Sequence, residues 1–179
     1  MTDAVLVLNV GSSSIKFAVY PADGDAVPVY AGQISGIGRS PKLTMRSPAP
    51  AESLGLPEPD EDHASLIVRL VTWLDNVLIG YRLVAAGHRV VHGGRDYTAP
   101  VVIDDDVLAS LEALVSLAPH HQPDNLAGVK AVAAARPGLP QVACFDTAFH
   151  RTQSRLAQLF AIPHALSEDG IIRYGFHGL

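Results

Sequence analysis

Residues 4–20 read AVLVLNVGSSSIKFAVY: two β-rich apolar runs, interrupted by an amide, a glycine and three hydroxyls, with Lys16 just beyond. A short apolar run stopped by Gly11 reads as a buried strand over 4–10, and 15–20 reads as a second. The Gly/Ser gap between them is short enough for a hairpin, so the two runs are expected to pair antiparallel. The gap has a second meaning. Gly11 permits close approach to the backbone, and Ser12, Ser13, Ser14 and Lys16 offer donors of the kind that phosphate oxygens accept from. A Walker loop is excluded, because the required Gly-Lys-Ser/Thr ending is missing and no helix follows. A dinucleotide fingerprint fails too, since Pro41 stands where the third glycine after Gly36 and Gly38 belongs. On these residues alone, a phosphate seat and an ordinary serine-rich hairpin both stand.

Outward from this stretch, 26–35 reads as a third strand with Pro28 near its start, and 42–46 as a weaker fourth. Residues 47–62 carry Pro48, Pro50, Pro57 and Pro59 among acids and read as a loop. Helical spacing of apolar residues then runs from His63 to Leu78, with Asp62 as its N-cap. Residues 83–92 read as a strand. Asp104, Asp105 and Asp106 open a second helix through Leu117, where carboxylates suit the N-terminal dipole. A third helix spans 124–136 and ends at Pro137-Gly138. Residues 141–146 form another strand, and 152–160 a short helix. This order predicts an α/β fold: a mixed β-sheet with three antiparallel N-terminal strands and strand–helix crossovers. Ligands on such sheets sit beyond the carboxyl ends of parallel strands. Residues 9–16, 88–94 and those just after 146 are therefore expected to converge.

Composition narrows the classes. The 179 residues are 48% hydrophobic and 17% charged, which suits one substantial globular domain. The net charge is −5 and no Lys/Arg block occurs, so nucleic acid and anionic membrane are poor partners. A single cysteine, Cys144, allows no intramolecular disulfide and fits a reducing compartment. No basic, apolar leader follows Met1, and no apolar run is long enough to span a bilayer. The expectation is a soluble, cytoplasmic protein.

Four further segments carry chemistry. In GHRVVHGGRDY (87–97), Arg89 and Val91 share one strand face while His88, Val90 and His92 share the other. An arginine beside a small apolar residue can clamp a carboxylate and pack against its alkyl tail. Shared metal ligation by His88 and His92 is excluded, because four residues of strand separate them by about 13 Å. In LAPHHQPDN (117–125), His120 and His121 lie between prolines that stiffen the loop, and one of the two is expected to face solvent. In CFDTAFH (144–150), Asp146 ends an apolar strand, where an acid needs a hydrogen bond, a cation or a turn to cap. Cys144 reads as a small buried side chain. Finally, IIRYGFHGL (171–179) sets Tyr174, Phe176 and His177 around Gly175 and Gly178, which suggests a tight backbone-close element rather than a helix.

Taken together, VLNVGSSSIK, GHRVVHGG, APHHQP, FDTAFH and YGFHG match blocks of the acetate kinase family in order and with compatible spacing. The chain closely resembles that family over nearly its whole length. The resemblance implies the ribonuclease-H-like, actin-like ATPase fold of the acetate and sugar kinases, with two related domains closing on a cleft. It implies reversible transfer of the ATP γ-phosphoryl group to acetate with Mg²⁺, Mn²⁺ being an alternative. The partners it implies are acetate, acetyl phosphate, ATP and ADP, and a homodimer at full length. Carried over by position, Asn9 contacts the metal–phosphate group, and Ser12, Ser14 and Lys16 form the phosphate-binding hairpin. Arg89 holds the acetate carboxylate, and Val91 and Phe176 line the methyl pocket. Asp146 is the family's catalytic acid. Its expected role here is to orient the metal, because an acceptor already ionised at pH 7 needs no general base. His121 and His177 donate to the transferring phosphoryl group. Two departures stand out. His120 occupies a position where the family commonly has Leu, making the methyl pocket more polar. The family chain is also about twice as long. Residues 1–150 are thus expected to form an N-terminal domain, with 151–179 leading to a second, nucleotide-binding domain. Propionate or butyrate as acceptor, and a non-catalytic half that only binds, are the competing readings.

Overall fold

The computed structural model describes residues 1–24, 26–46, 57–58 and 60–179. The strands are β1 (Thr2–Gly11), β2 (Ser14–Pro21), β3 (Tyr30–Ser35), β4 (Lys42–Met45), β5 (Tyr81–Val90), β6 (Val101–Val102) and β7 (Gln141–Phe145). The helices are α1 (His63–Val77), α2 (Asp105–Ala113), α3 (Gln122–Ala135) and α4 (His164–Glu168). Seven strands form one mixed sheet in the order β4-β3-β2-β1-β5-β7-β6. β1 to β4 pair antiparallel in sequence, while β1, β5 and β7 run parallel. The opening stretch is the expected hairpin, with Leu8 opposite Phe17 and Gly11 opposite Ser14.

Strict alternation decides which face is covered. Leu6, Leu8, Val10, Ile15, Phe17, Val19 and Ile34 point to one side and are buried there against Leu66, Ile67, Leu70, Trp73 and Leu74 of α1 and Val132 of α3. α3 comes closest at Gly128, where an added Cβ would stand 2.8 Å from Val10 Cγ2. A second cluster, Val90, Ala143 and Phe145 with Leu111 and Leu126, seats α2 beside α3 on the same side. α1 and α2 begin where carboxylates accept free N–H groups: Asp62 from Ser65 N and Asp104 from Val107 N, each at 2.8 Å.

Several boundaries differ from expectation. The third strand begins at Tyr30 rather than 26, since Pro28 offers no N–H to the β2 ladder. The second helix stops at Ala113 and continues as a 3₁₀ turn, Val115–Leu117. α3 starts two residues early, with Pro123 in its first turn, where a missing N–H is harmless. The expected helix over 152–160 is instead two 3₁₀ turns, Phe149–Thr152 and Arg155–Gln158, parted by extended residues including Ser154, which caps the second. β6, only two residues long, gave no periodic signal and pairs antiparallel with β7. Most of the loop expected over 47–62 lies outside the described residues.

Candidate active site

The carboxyl ends of β1, β5 and β7 meet at one guanidinium. β5 buries His88 and Val90 on its helix side and turns Arg89 to the other. There Arg89 lies next to the end of β7, where Asp146 is 1% exposed. The arginine fork is bidentate: Nε donates to Asp146 Oδ1 at 2.9 Å and Nη2 to Oδ2 at 2.5 Å. Nη1 donates to Asn9 Oδ1 at 3.3 Å, and Nη2 reaches His177 Nδ1 at 3.5 Å. The buried acid of β7 is thus matched by a cation from the neighbouring strand rather than by a turn it caps.

Above this group lies a cavity of about 420 Å³ lined by Arg89, Val91, Leu117, Ala118, Pro119, His120, His121, Asp146, Phe176 and His177. Its lining is chemically mixed: a cation, an acid and imidazoles together with aliphatic and aromatic carbon. His120 and His121 both belong to the lining, and both are exposed to solvent. The chain bends at Ala118–His121 just before α3. His177 adopts φ 60°, a left-handed conformation costing a non-glycine residue about 1 kcal/mol or more, and in it the ring reaches Arg89. The tail holding His177 is close-packed as its glycines predict. A Cβ on Gly175 would collide with the His150 ring, and one on Gly178 with the Asp146 carbonyl. His150 Nε2 also bonds the Phe176 carbonyl at 2.9 Å.

The hairpin residues divide into two groups. Lys16 stands opposite Asn9 in the β1–β2 register, and the two share a neighbouring depression of about 370 Å³. Gln33, Lys16, Asn9 and Arg89 thereby form a polar row across four strands. Ser12, exposed, and Ser14, half-buried, stay at the bend outside both linings. That bend is fastened by His63 Nε2 to the Gly11 carbonyl at 2.8 Å.

Three polar residues that sequence reading passed over hold the site in place. Asn125 accepts from Val91 N at 2.9 Å and donates to the Val10 carbonyl at 2.6 Å, joining the ends of β1 and β5. Gln122 accepts from His92 N at 3.1 Å and donates to His92 O at 3.0 Å. Thr147 Oγ1 accepts from Gly93 N at 3.0 Å. The signal for the first two was available: amides at i and i+3 on a helix whose neighbouring positions are Leu126, Gly128 and Val129.

Burial pushes the His88 imidazole down to about 4, against a partial rise from its hydrogen bond to Gln141. Burial lowers His92 as well and raises the Cys144 thiol, which makes that thiol a poor nucleophile. Among the described residues no group of three or more His, Cys, Asp or Glu side chains is placed to hold a metal ion. Both Asp146 oxygens accept from Arg89, and each keeps a further lone pair.

A family model matches residues 4–179, that of the acetokinase family. The chain belongs to the acetokinase family. It is 43% identical to the acetate kinase of Rhodopseudomonas palustris over 184 residues, covering 100% of this chain and 46% of that protein. It is 46% identical to the acetate kinase of Nitrobacter hamburgensis over 182 residues, covering 99% and 45%. Among solved structures it is similar to a propionate kinase from Francisella tularensis, with TM-score 0.87 and 34% identity over 98% of this chain and 45% of that one. It is also similar to the acetate kinase of Porphyromonas gingivalis, with TM-score 0.76, 31% identity and the same coverage. This acetokinase-family chain therefore spans about half the length of the relatives it matches.

Proposed function

We propose that the cavity at Arg89 is the acyl-acceptor half of a carboxylate kinase that transfers the γ-phosphoryl group of ATP to acetate, reversibly, giving acetyl phosphate and ADP. The observation that carries this reading is the mixed lining of one cavity of about 420 Å³: a guanidinium aligned by a buried aspartate, with Val91, Ala118 and Phe176 in the same lining. A short carboxylate suits both kinds of lining, its oxygens toward Arg89 and its methyl toward carbon. Acetate has a pKa near that of side-chain carboxyls, about 4, and is ionised at pH 7, so Asp146 has no proton to remove. Its work is to hold the Arg89 fork at a fixed angle. Arg89 offsets the repulsion between acceptor and phosphoryl anions, which positioning and charge neutralisation must overcome in phosphoryl transfer. His121 and His177, on the rim, donate to the oxygens of the transferring group. Lys16 and Asn9 extend that anion-stabilising row, with Ser12 and Ser14 joining from the bend when nucleotide is present.

In this reading residues 1–150 form the acceptor domain and 151–179 lead toward a second domain that supplies the nucleotide pocket. The 179-residue chain alone then binds acceptor but turns over little. Propionate is the second reading, favoured by the likeness to the Francisella propionate kinase. Line broadening of ¹³C-labelled acetate and propionate on addition of the chain tests the acceptor site. Saturable broadening that disappears in Arg89→Gln is expected; equal broadening by both proteins refutes the assignment. A hydroxamate assay for acyl phosphate, run on the chain alone, should give little product.

A further inference from the structure

A second hollow lies away from the Arg89 cavity. It measures about 330 Å³, and Arg95, Arg151 and Arg155 all line it. The chain carries a net charge of −5, so three guanidiniums in one hollow run against its overall balance. Arg69, Arg82, Arg89 and Arg136 each face a carboxylate within ion-pair distance. Among the described residues these three arginines do not. Glu168, the acid on the rim, pairs with His164 at 3.4 Å instead.

What the three do touch is backbone. Arg95 Nη2 donates to the Gly170 carbonyl, Arg155 Nη2 to the Ser167 carbonyl at 3.3 Å, and Arg151 Nη2 to the Arg95 carbonyl at 3.5 Å. Each uses one of a guanidinium's five N–H donors and is held in place by it. Arg151 Nε is buried and has no hydrogen-bond partner among the described residues, and a buried donor left unsatisfied is destabilising. Gly170 keeps the space open: its φ is +102°, and a Cβ there would run into the Arg95 guanidinium. A purely structural role, tying α4 to the body, needs one donor per carbonyl and no surplus charge. Three guanidiniums with one carboxylate, Glu168, in the same lining leave an excess of positive charge that an anion offsets. A tetrahedral oxyanion supplies several acceptor oxygens at once and suits planar forks that bind bidentately.

We propose that Arg95, Arg151 and Arg155 form a second oxyanion site, distinct from the Arg89 cavity, that takes a phosphate-type dianion, free or as the end group of a small organic phosphate. The test is a titration of the 179-residue chain with inorganic phosphate and, separately, glycerol phosphate, read by calorimetry and by ¹⁵N shifts of the arginine Nε groups. Saturable shifts at Arg95, Arg151 and Arg155 are expected, persisting in Arg89→Gln and weakening at least about tenfold in Arg151→Gln and Arg155→Gln. Because Arg155 is exposed, its variant is expected to keep the wild-type urea midpoint, so lost binding there is not lost folding. Tighter binding of glycerol phosphate assigns the organic source, and equal affinity assigns free phosphate. Absent shifts at Arg151, affinities unchanged in both outer variants, or binding abolished by Arg89→Gln alone overturn the second site, and each leaves the acceptor reading to its own test.

Discussion

Lowering the pH from 7.5 to 5 is expected to destabilise the chain by about 2 kcal/mol through His88 alone. His88 is 2% exposed, and its Nε2 lies 2.7 Å from Gln141 Oε1. Its Nδ1 is buried without a hydrogen-bond partner among the described residues. A neutral ring donating through Nε2 leaves only an unbonded acceptor there, whereas protonation would add a buried donor and a charge. The folded pKa is accordingly pushed down to about 4 from 6.5. Between those values the unfolded chain binds more protons than the folded one, so stability rises with pH. The contribution is complete above 6.5 and is lost as pH falls toward 4, which at pH 5 amounts to about 2 kcal/mol. With a urea slope of about 2 kcal/mol per molar, the unfolding midpoint should drop by about 1 M between pH 7.5 and 5. Burial lowers His92 in the same direction, and that part is common to wild type and variant. The decisive quantity is therefore the difference from His88→Gln, which should lose about 2 kcal/mol less over the same interval. Identical pH profiles for the two proteins, or a His88 ring signal titrating near 6.5, would refute the burial argument.

Asp146→Asn removes the charge that aligns Arg89, whose side chain is 30% exposed and so partly rescued by water. A loss of about 1–3 kcal/mol in urea unfolding is expected, below the usual figure for a fully buried pair, together with weaker acetate binding. Gln122→Ala leaves both backbone groups of His92 unpartnered in a fully buried setting and should cost about 2–4 kcal/mol by the same measurement. Gly128→Ala forces a methyl against Val10 and should destabilise by about 1–3 kcal/mol, although alanine is the better helix former; a stabilised variant would show that α3 can move off β1.

The hairpin, α1 to α3 and the strand carrying Arg89 were legible because each repeats its pattern over many residues. Alternation buried Leu6, Leu8 and Val10, the same alternation turned Asn9 away from them, and Asp62 announced the start of α1. What stayed hidden was short or non-local. β6 has two residues, too few for any period, and the turns over 149–158 are set by Ser154 and by contacts with the tail. That His120 and His121 both join the lining of the Arg89 cavity depends on the bend at Ala118, fixed by hydrogen bonds rather than by propensity.

By itself the sequence determined the order of β1 to β5, α1 to α3 and β7, the buried face of the longer strands and the five segments that hold the candidate site residues, because these follow from local periodicity and side-chain type. Only the tertiary structure decided that Arg89 meets Asp146 across 57 residues and Asn9 across 80, that Ser12 and Ser14 stay at the bend, and that Arg95 shares a hollow with Arg151 and Arg155 from a distant segment. Those pairings depend on strand register and on how the tail returns to the sheet. Both are settled by packing between segments far apart in the chain, and no window of sequence contains them.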